Sequence, residues 1–203
     1  MGQVVALHEL VADPSRVWHG RSTRPPGQGV PTGFAALDDA LPLGGWPKGA
    51  LTELLLPADG IGEIALLLPT LARLTQARQR VALVAPPYVP YAPAWRADGV
   101  YLPYLEIIEA DPKQAPWAVE QCLRSGSCAA VIGWPRGADH HILRRLQVAA
   151  DTGQALGFAL RDRKHAEQAS PAALRLEFGH DRQIRVRKCR GGNPPARTFA
   201  LLQ

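Results

Sequence analysis

The chain has 203 residues, of which 46% are hydrophobic and 20% charged, and its formal net charge is +5. This composition is typical of one globular domain and excludes a disordered chain. No apolar run reaches the ~18 to 20 residues of a membrane span, and the N-terminus lacks the basic segment of a secretory signal. The three cysteines, Cys122, Cys128 and Cys189, form no CxxC pair. We therefore expect a cytoplasmic protein without a disulfide framework or a zinc site.

The positive charge is concentrated towards the C-terminus. From residue 161 onwards the chain carries ten Lys and Arg against four Asp and Glu, whereas the first 160 residues carry 13 against 14. Such an asymmetry indicates a polyanion or an acidic protein as partner, or a solvated basic surface.

The first 32 residues differ from the rest of the chain. They begin with a possible short helix that Pro14 interrupts, and residues 20–32 (GRSTRPPGQGVPT) have the composition of a linker. We therefore divide the chain into an N-terminal arm with its linker, residues 1–32, and a core, residues 33–203. Trp18 in the arm is a candidate contact to a partner, in the manner of a helix that lies in a groove.

The core alternates between strand and helix patterns. Apolar runs typical of buried strands occupy 51–56, 80–85, 105–110, 128–134 and 155–161, and helical patterns occupy 34–41, 62–79, 117–126 and 140–153. The last two strand patterns, 173–178 and 182–189, alternate apolar and polar residues and predict an antiparallel pair. This order predicts a three-layer α/β fold, in which helices cover both faces of a mostly parallel sheet that ends in a hairpin.

The helical stretch 62–79 has an apolar face at the spacing i, i+3, i+4 and i+7. That face is predicted to consist of Ile64, Leu67, Leu68, Leu71 and Leu74. Pro69 lies within the stretch, and we expect a kink there.

The turn before this helix, in LPADGIGE, has the outline of a phosphate-binding loop. Such a loop needs glycines, a lysine for the phosphates and a hydroxyl for Mg²⁺. With Gly60 and Gly62 as the glycines, Glu63 takes the lysine position and Ile64 the hydroxyl position. Pro57 replaces the first glycine and has no N–H to donate. The loop is therefore predicted to be vestigial, although Glu63 is also favourable at the positive end of a helix dipole.

Three aromatic residues lie in or just after the proline-rich stretch PPYVPYAP. Tyr88, Tyr91 and Trp95 could stack on single-stranded bases, anchor a protein interface, or pack beneath the loop.

A basic strip is predicted on the last strand pattern. Arg185 and Arg187 lie two residues apart and share one face, Lys188 lies on the other face, and Arg190 follows. The strip could meet phosphates or an acidic partner, or it could protect an edge strand from aggregation.

The pair His140 and His141 begins a predicted helix, directly after Asp139. Adjacent histidines point to different faces of a helix, so capping by Asp139 explains the cluster better than a metal does.

A family resemblance is carried by several stretches. TGFAALDDALPLGGWPKGALTELL (32–55) resembles the segment that leads into the first strand of the RecA/RadA recombinase core, and the later elements follow the same order. GIGEIALLLPTLARLTQA, VAPPYVPYAPAW and LRSGSCAAVIGWP are similar to stretches of the ImuA family, which is RecA-like and also described as SulA-type. The resemblance covers roughly residues 30–203 and implies a RecA-like core with a degenerate P-loop.

Two further departures from an active recombinase accompany the loop. Where the resemblance implies a catalytic glutamate after the second strand, the chain has Pro86 and Pro87. Where it implies a Walker B aspartate, the chain has Gly133 and Trp134. Three losses at separate positions predict a protein that is not an ATPase and needs no cofactor.

The resemblance implies a non-catalytic adaptor of SOS-induced, error-prone translesion DNA synthesis. Its implied partners are the RecA recombinase, a Y-family-like polymerase homologue of the ImuB type and an error-prone replicative-type polymerase, with weak DNA binding left open. Two alternatives remain at this point, a SulA-type cell-division inhibitor and a divergent DNA-dependent ATPase.

Overall fold

The computed structural model describes residues 29–179 and 183–200. Predictions on the N-terminal arm, including the contact through Trp18, lie outside the described residues. The strands of this part are β1 (Gly29–Val30), β2 (Trp46–Pro47), β3 (Ala50–Leu56), β4 (Arg80–Val84), β5 (Leu105–Ile108), β6 (Cys128–Gly133), β7 (Leu156–Asp162), β8 (Leu174–Phe178), β9 (Gln183–Cys189) and β10 (Thr198–Ala200). Its α-helices are α1 (Ala35–Asp38), α2 (Glu63–Gln76), α3 (Ala92–Ala97), α4 (Ala115–Arg124) and α5 (His140–Gly153).

Eight strands form one mixed sheet in the order β10-β9-β8-β3-β7-β6-β4-β5. The six strands from β8 to β5 are parallel to one another, whereas β9 pairs antiparallel with both β8 and β10. The prediction of a mostly parallel α/β sheet that ends in a β8–β9 hairpin is confirmed. Two features were not predicted: β10, and the short pairing of β1 with β2, which brings the last residues of the expected linker into the fold.

Helices cover both faces of the sheet. One apolar cluster joins α2 to the sheet and includes Trp46, Trp95 and Phe158. The second cluster lies under α4 and α5 and includes Leu123 and Leu146. Of the described helices, none is long and apolar enough to cross a membrane.

The buried face of α2 is turned relative to the prediction. Leu67, Leu71 and Leu74 are buried as predicted, but Ile64 and Leu68 are only half-buried, and the face is completed by Glu63, Leu66, Thr70 and Thr75. A threonine is accommodated there because the hydroxyl of Thr70 accepts a hydrogen bond from Trp46 Nε1 at 2.9 Å.

The segment after β4 contains a helix where the sequence suggested only a loop. Pro93 occupies the second position of α3, which a proline tolerates because no intrahelical N–H is needed there. Trp95, on this helix, is 8% exposed and packs in the core. Of its proposed roles, packing beneath the loop is the one that the structure shows.

The parallel strands bring three loops to one edge of the sheet. In the parallel register Val84 lies beside Gly133, and Gly133 beside Ala159. The segments that follow β3, β4 and β6 therefore leave the sheet at its carboxyl edge, where parallel α/β sheets generally bind ligands.

Candidate functional site

A cavity of about 250 Å³, which we call the carboxyl-edge pocket, opens between these three loops. The loop after β3 contributes Gly60, Gly62, Glu63 and Ile64, the loop after β4 contributes Pro86, Pro87 and Tyr88, and the segment after β6 contributes Trp134. The three departures from an ATPase, found at separate places in the sequence, thus line a single cavity. Pro57 lines a neighbouring cavity instead.

The loop between β3 and α2 keeps the backbone of a glycine-rich turn. Gly60 and Gly62 have φ values of +79° and +101°, in the left-handed region that other residues adopt at a cost. Gly62 is the last residue before α2. The predicted order of strand, glycine turn and helix is therefore present.

Glu63 folds back over its own loop. Its side chain is buried, and Oε1 accepts a hydrogen bond from the backbone N–H of Gly60 at 3.0 Å. Oε2 is buried as well and has no hydrogen-bond partner among the residues that the structure describes. A carboxylate thus uses a backbone donor that a phosphate-binding loop would offer to phosphate, at the positive end of a 14-residue helix.

Gly133, the last residue of β6, and Trp134, which follows it, have different surroundings. A Cβ built on Gly133 would lie 2.3 Å from Val119 Cγ2, so Gly133 packs tightly against α4. Trp134 lines this pocket and the neighbouring cavity, is 5% exposed, and its Nε1 has no hydrogen-bond partner in the described part of the chain. The indole therefore takes up space beside the loop where the resemblance places an aspartate.

The loop after β4 forms the outer wall of the pocket. The ring of Tyr88 lies over the first loop, since a Cβ built on Gly60 would be 3.5 Å from Tyr88 Cε2. Tyr88, Val89 and Tyr91 are 67%, 86% and 71% exposed. The rim of the pocket is therefore apolar and accessible.

The basic strip on β9 separates into side chains that pair with described residues and side chains that are exposed. Arg187 forms an ion pair with Glu177 at 3.4 Å and a closer one with Glu167. Lys188 Nζ donates to the carbonyl of Ser170 at 2.7 Å, and burial lowers the pKa of its ammonium group.

Arg185 and Arg190, by contrast, are exposed. Of the four predicted contact residues on the strip, these two present their charge to solvent. The strip shares no lining residue with the carboxyl-edge pocket.

A buried ion triad was missed at the sequence level. Glu53 on β3 is fully buried, its Oε1 accepts from Arg161 at 2.5 Å, and its Oε2 accepts from Arg175 Nε at 2.7 Å. Other nitrogens of the two guanidinium groups donate to the carbonyls of Ala138, His165 and Ala166. The available signal was a lone charge in each of the apolar strand patterns 51–56 and 155–161, whereas the pattern 173–178 carries Glu177 as well as Arg175.

The predicted cap of α5 is confirmed. Asp139 Oδ1 accepts from the backbone N–H of Ile142 at 2.8 Å, and this bond is the main cause that lowers the pKa of Asp139 below its ordinary value. Within residues 29–179 and 183–200, no group of three or more His, Cys, Asp or Glu is placed to hold a metal ion.

Comparisons with known proteins find similarity among solved structures. No family model matches the chain, and no curated protein matches it. Among solved structures, that of SulA from Pseudomonas aeruginosa is 25% identical and covers 54% of this chain and 96% of that chain, with a TM-score of 0.46. A TM-score at this level does not establish a common fold.

Proposed function

We propose that this protein is a non-catalytic accessory protein of SOS-induced, error-prone translesion DNA synthesis, built on a degenerate RecA-like core. It acts by docking onto other proteins rather than by turning over ATP. The RecA-like assignment is supported by the order of strands and helices after residue 32, which follows the order that the recombinase resemblance implies.

One observation carries the non-catalytic part, namely that the side chain of Glu63 occupies the loop. Its Oε1 accepts from Gly60 N, and its second oxygen lies buried beside it. A phosphate placed there would meet a carboxylate, and two unit charges ~4 Å apart repel by ~1 kcal/mol even in water and by more when partly buried. Trp134 and the prolines after β4 form further parts of the cavity wall.

The translesion role rests on the ImuA-like stretches, and all three of these supply walls of the carboxyl-edge pocket, LRSGSCAAVIGWP through Trp134. GIGEIALLLPTLARLTQA provides the loop with Glu63, and VAPPYVPYAPAW provides the exposed rim with Tyr88. The proposed partners are the RecA recombinase, the ImuB-type polymerase homologue and the error-prone replicative-type polymerase.

The test is capture of the tagged full chain from DNA-damaged cells, with bound proteins identified by mass spectrometry. We expect recombinase and polymerases in the eluate. The double variant R185E/R190E reverses the two exposed charges of the strip and should weaken this capture, whereas R187E, whose wild-type arginine is already paired, should weaken it less.

Two outcomes would contradict the proposal. Recovery of the tubulin-like division protein without the polymerases would favour a division inhibitor, which should also produce filamentous cells in a strain that lacks those polymerases. Stoichiometric ATP binding by the purified chain, with hydrolysis stimulated by DNA, would show a divergent ATPase.

A further inference from the structure

Two buried polar atoms without partners in the described part of the chain belong to residues that line the carboxyl-edge pocket. They are Glu63 Oε2, an acceptor, and Trp134 Nε1, a donor, on side chains that are 3% and 5% exposed. In the described residues these are the only buried side-chain N or O atoms without a hydrogen-bond partner, and both residues line the same cavity. Because buried polar groups in native proteins are almost always paired, this coincidence indicates a site that a ligand completes.

The chemistry of the walls restricts the ligand. Glu63 requires a hydrogen-bond donor and opposes an anion, which excludes phosphate and carboxylate groups. Trp134 requires an acceptor, such as a carbonyl oxygen. The aromatic rings of Tyr88, Trp95 and Trp134 also line the cavity, and aromatic faces attract cations, most often guanidinium groups.

We propose that the carboxyl-edge pocket binds the guanidinium group of an arginine, presented on an apolar segment of a partner protein. The guanidinium donates to Glu63 Oε2, and a backbone carbonyl beside the arginine accepts from Trp134 Nε1. This inference rests on the proposed protein-binding function and specifies what the docking site recognises.

The surroundings favour a protein side chain over a free small cation. The rim residues Tyr88 and Val89, with Tyr91 two positions further along the chain, offer exposed apolar surface that a small cation would leave uncovered. Exposed aromatic residues around a buried anchor are typical of protein interfaces. Within the described residues no basic side chain forms an ion pair with Glu63, so the partner charge has to come from elsewhere.

The test uses the ¹⁵N-labelled full chain and the blocked peptide acetyl-Leu-Arg-Leu-amide. The indole N–H signal of Trp134 is identified as the one that W134F removes, and it reports binding at the pocket. The matched probe replaces arginine with citrulline, which keeps the shape but lacks the charge. We expect the arginine peptide to shift the Trp134 signal and to bind at least about tenfold more tightly than the citrulline peptide, since charge-assisted hydrogen bonds are the stronger ones.

The matched variants are E63Q and D59N. The glutamine side chain of E63Q can still accept from Gly60 N but presents an amide in place of Oε2, so arginine binding should fall by about tenfold or more. D59N removes the same charge from the same loop, where Asp59 pairs with Arg136 outside this pocket, and should leave binding unchanged. Equal losses of arginine binding in E63Q and D59N would mean that only the net charge of the loop matters. This result would overturn the proposal.

Other occupants of the carboxyl-edge pocket would give different results in this binding experiment. Butylguanidinium binding as tightly as the peptide would assign the site to a free cation, and equal affinity for arginine and citrulline would remove the cation preference. No shift with any probe would leave a cavity that holds water only. If R16A/R21A/R24A shifts the Trp134 signal without a probe, the chain's own arm occupies the pocket. Each of these results overturns the proposal, and none depends on translesion partners, so its failure is distinguishable from failure of the proposed function.

Discussion

The two buried glutamates that flank the first loop are in opposite states. Glu53, in the middle of β3, gives both oxygens to arginines from the neighbouring strands β7 and β8. Glu63, at the start of α2, gives one oxygen to a backbone N–H and leaves the other without a partner. Both are buried to nearly the same degree, so burial alone does not distinguish a structural charge from a binding one.

This difference between Glu53 and Glu63 shows which of the two carboxylates lacks an interaction. Around Glu53 the two guanidinium groups also bind the carbonyls of Ala138, His165 and Ala166, so every charge has its partners within the chain. Such a triad orders the sheet and is costly to break on one side. The pocket around Glu63 is arranged for a group that comes from outside, and the matched substitutions below measure this contrast.

The largest effect is expected when each of the two glutamates is replaced by glutamine and the changes in the free energy of unfolding are compared. E53Q leaves two buried guanidinium groups without a counter-charge and should lower the free energy of unfolding by about 3–5 kcal/mol. E63Q retains the acceptor for Gly60 N and should change the free energy of unfolding by no more than about 1 kcal/mol. Urea unfolding followed by tryptophan fluorescence measures both.

A rescue variant keeps this test informative if E53Q does not fold. E53L/R161L/R175M replaces the whole triad with apolar side chains and should recover most of the lost stability, because no uncompensated charge remains. Equal losses for E53Q and E63Q would show that Glu63 is as well paired as Glu53 and would remove the contrast.

The next effect compares two buried tryptophans. Trp46 donates its Nε1–H to Thr70 and packs edge-on against Phe158, with ring centroids 5.1 Å apart. W46F should therefore lower the free energy of unfolding by about 2 kcal/mol. W134F loses ring contacts but also removes an unpartnered donor, so its net effect should stay below about 1 kcal/mol. Thermal and urea unfolding of both variants check the order, and a larger loss in W134F would contradict it.

Helices whose boundaries are set by neighbouring residues in the chain were predictable from the sequence. The start of α5 is set by Asp139, whose side chain accepts from Ile142 N as an N-cap does, and its predicted bounds agree with the structure. α3 was missed because Pro90 and Pro93 are typical of a loop, although Pro93 is allowed at the second position of a helix.

Which residues line the site depends on contacts between residues that are far apart in the sequence. The three departures from an ATPase could be read separately, but only the strand order β3-β7-β6-β4 brings Glu63, Pro87 and Trp134 to one cavity. No local pattern shows that the Glu63 side chain folds back to Gly60. The Glu53 triad likewise needs β8 beside β3, which brings Arg175, 122 residues away along the chain, opposite Glu53.

A smaller effect separates the two arginines on the same face of β9. Arg187 pairs with Glu177 and Glu167, so R187A should lower the free energy of unfolding by about 0.5–1 kcal/mol at low salt. Arg185 is exposed, and R185A should leave stability unchanged within error. The gap between the variants should shrink in high salt, which screens partly exposed pairs. Urea unfolding at two salt concentrations measures it, and a gap that persists in high salt would point to lost packing rather than lost charge.

The smallest effect concerns the exposed carboxylate at the start of α5, which contrasts with the buried one at the start of α2. The hydrogen bond from Ile142 N lowers the pKa of Asp139 below its ordinary value of 3.8. A carboxyl group whose pKa is lowered by folding stabilises the protein above its unfolded pKa and loses that contribution as the pH falls through the folded pKa. At neutral pH the melting temperature should therefore be lower for D139A than for wild type, while D139N, which keeps a capping oxygen, should lie close to wild type. Below a pH of 3.8 wild type should fall towards D139N, because a protonated Asp139 keeps a capping oxygen but loses its charge, whereas the margin of D139N over D139A should persist because its amide does not titrate. A difference between wild type and D139A that is independent of pH would show that the ionised form of Asp139 contributes nothing beyond the cap itself.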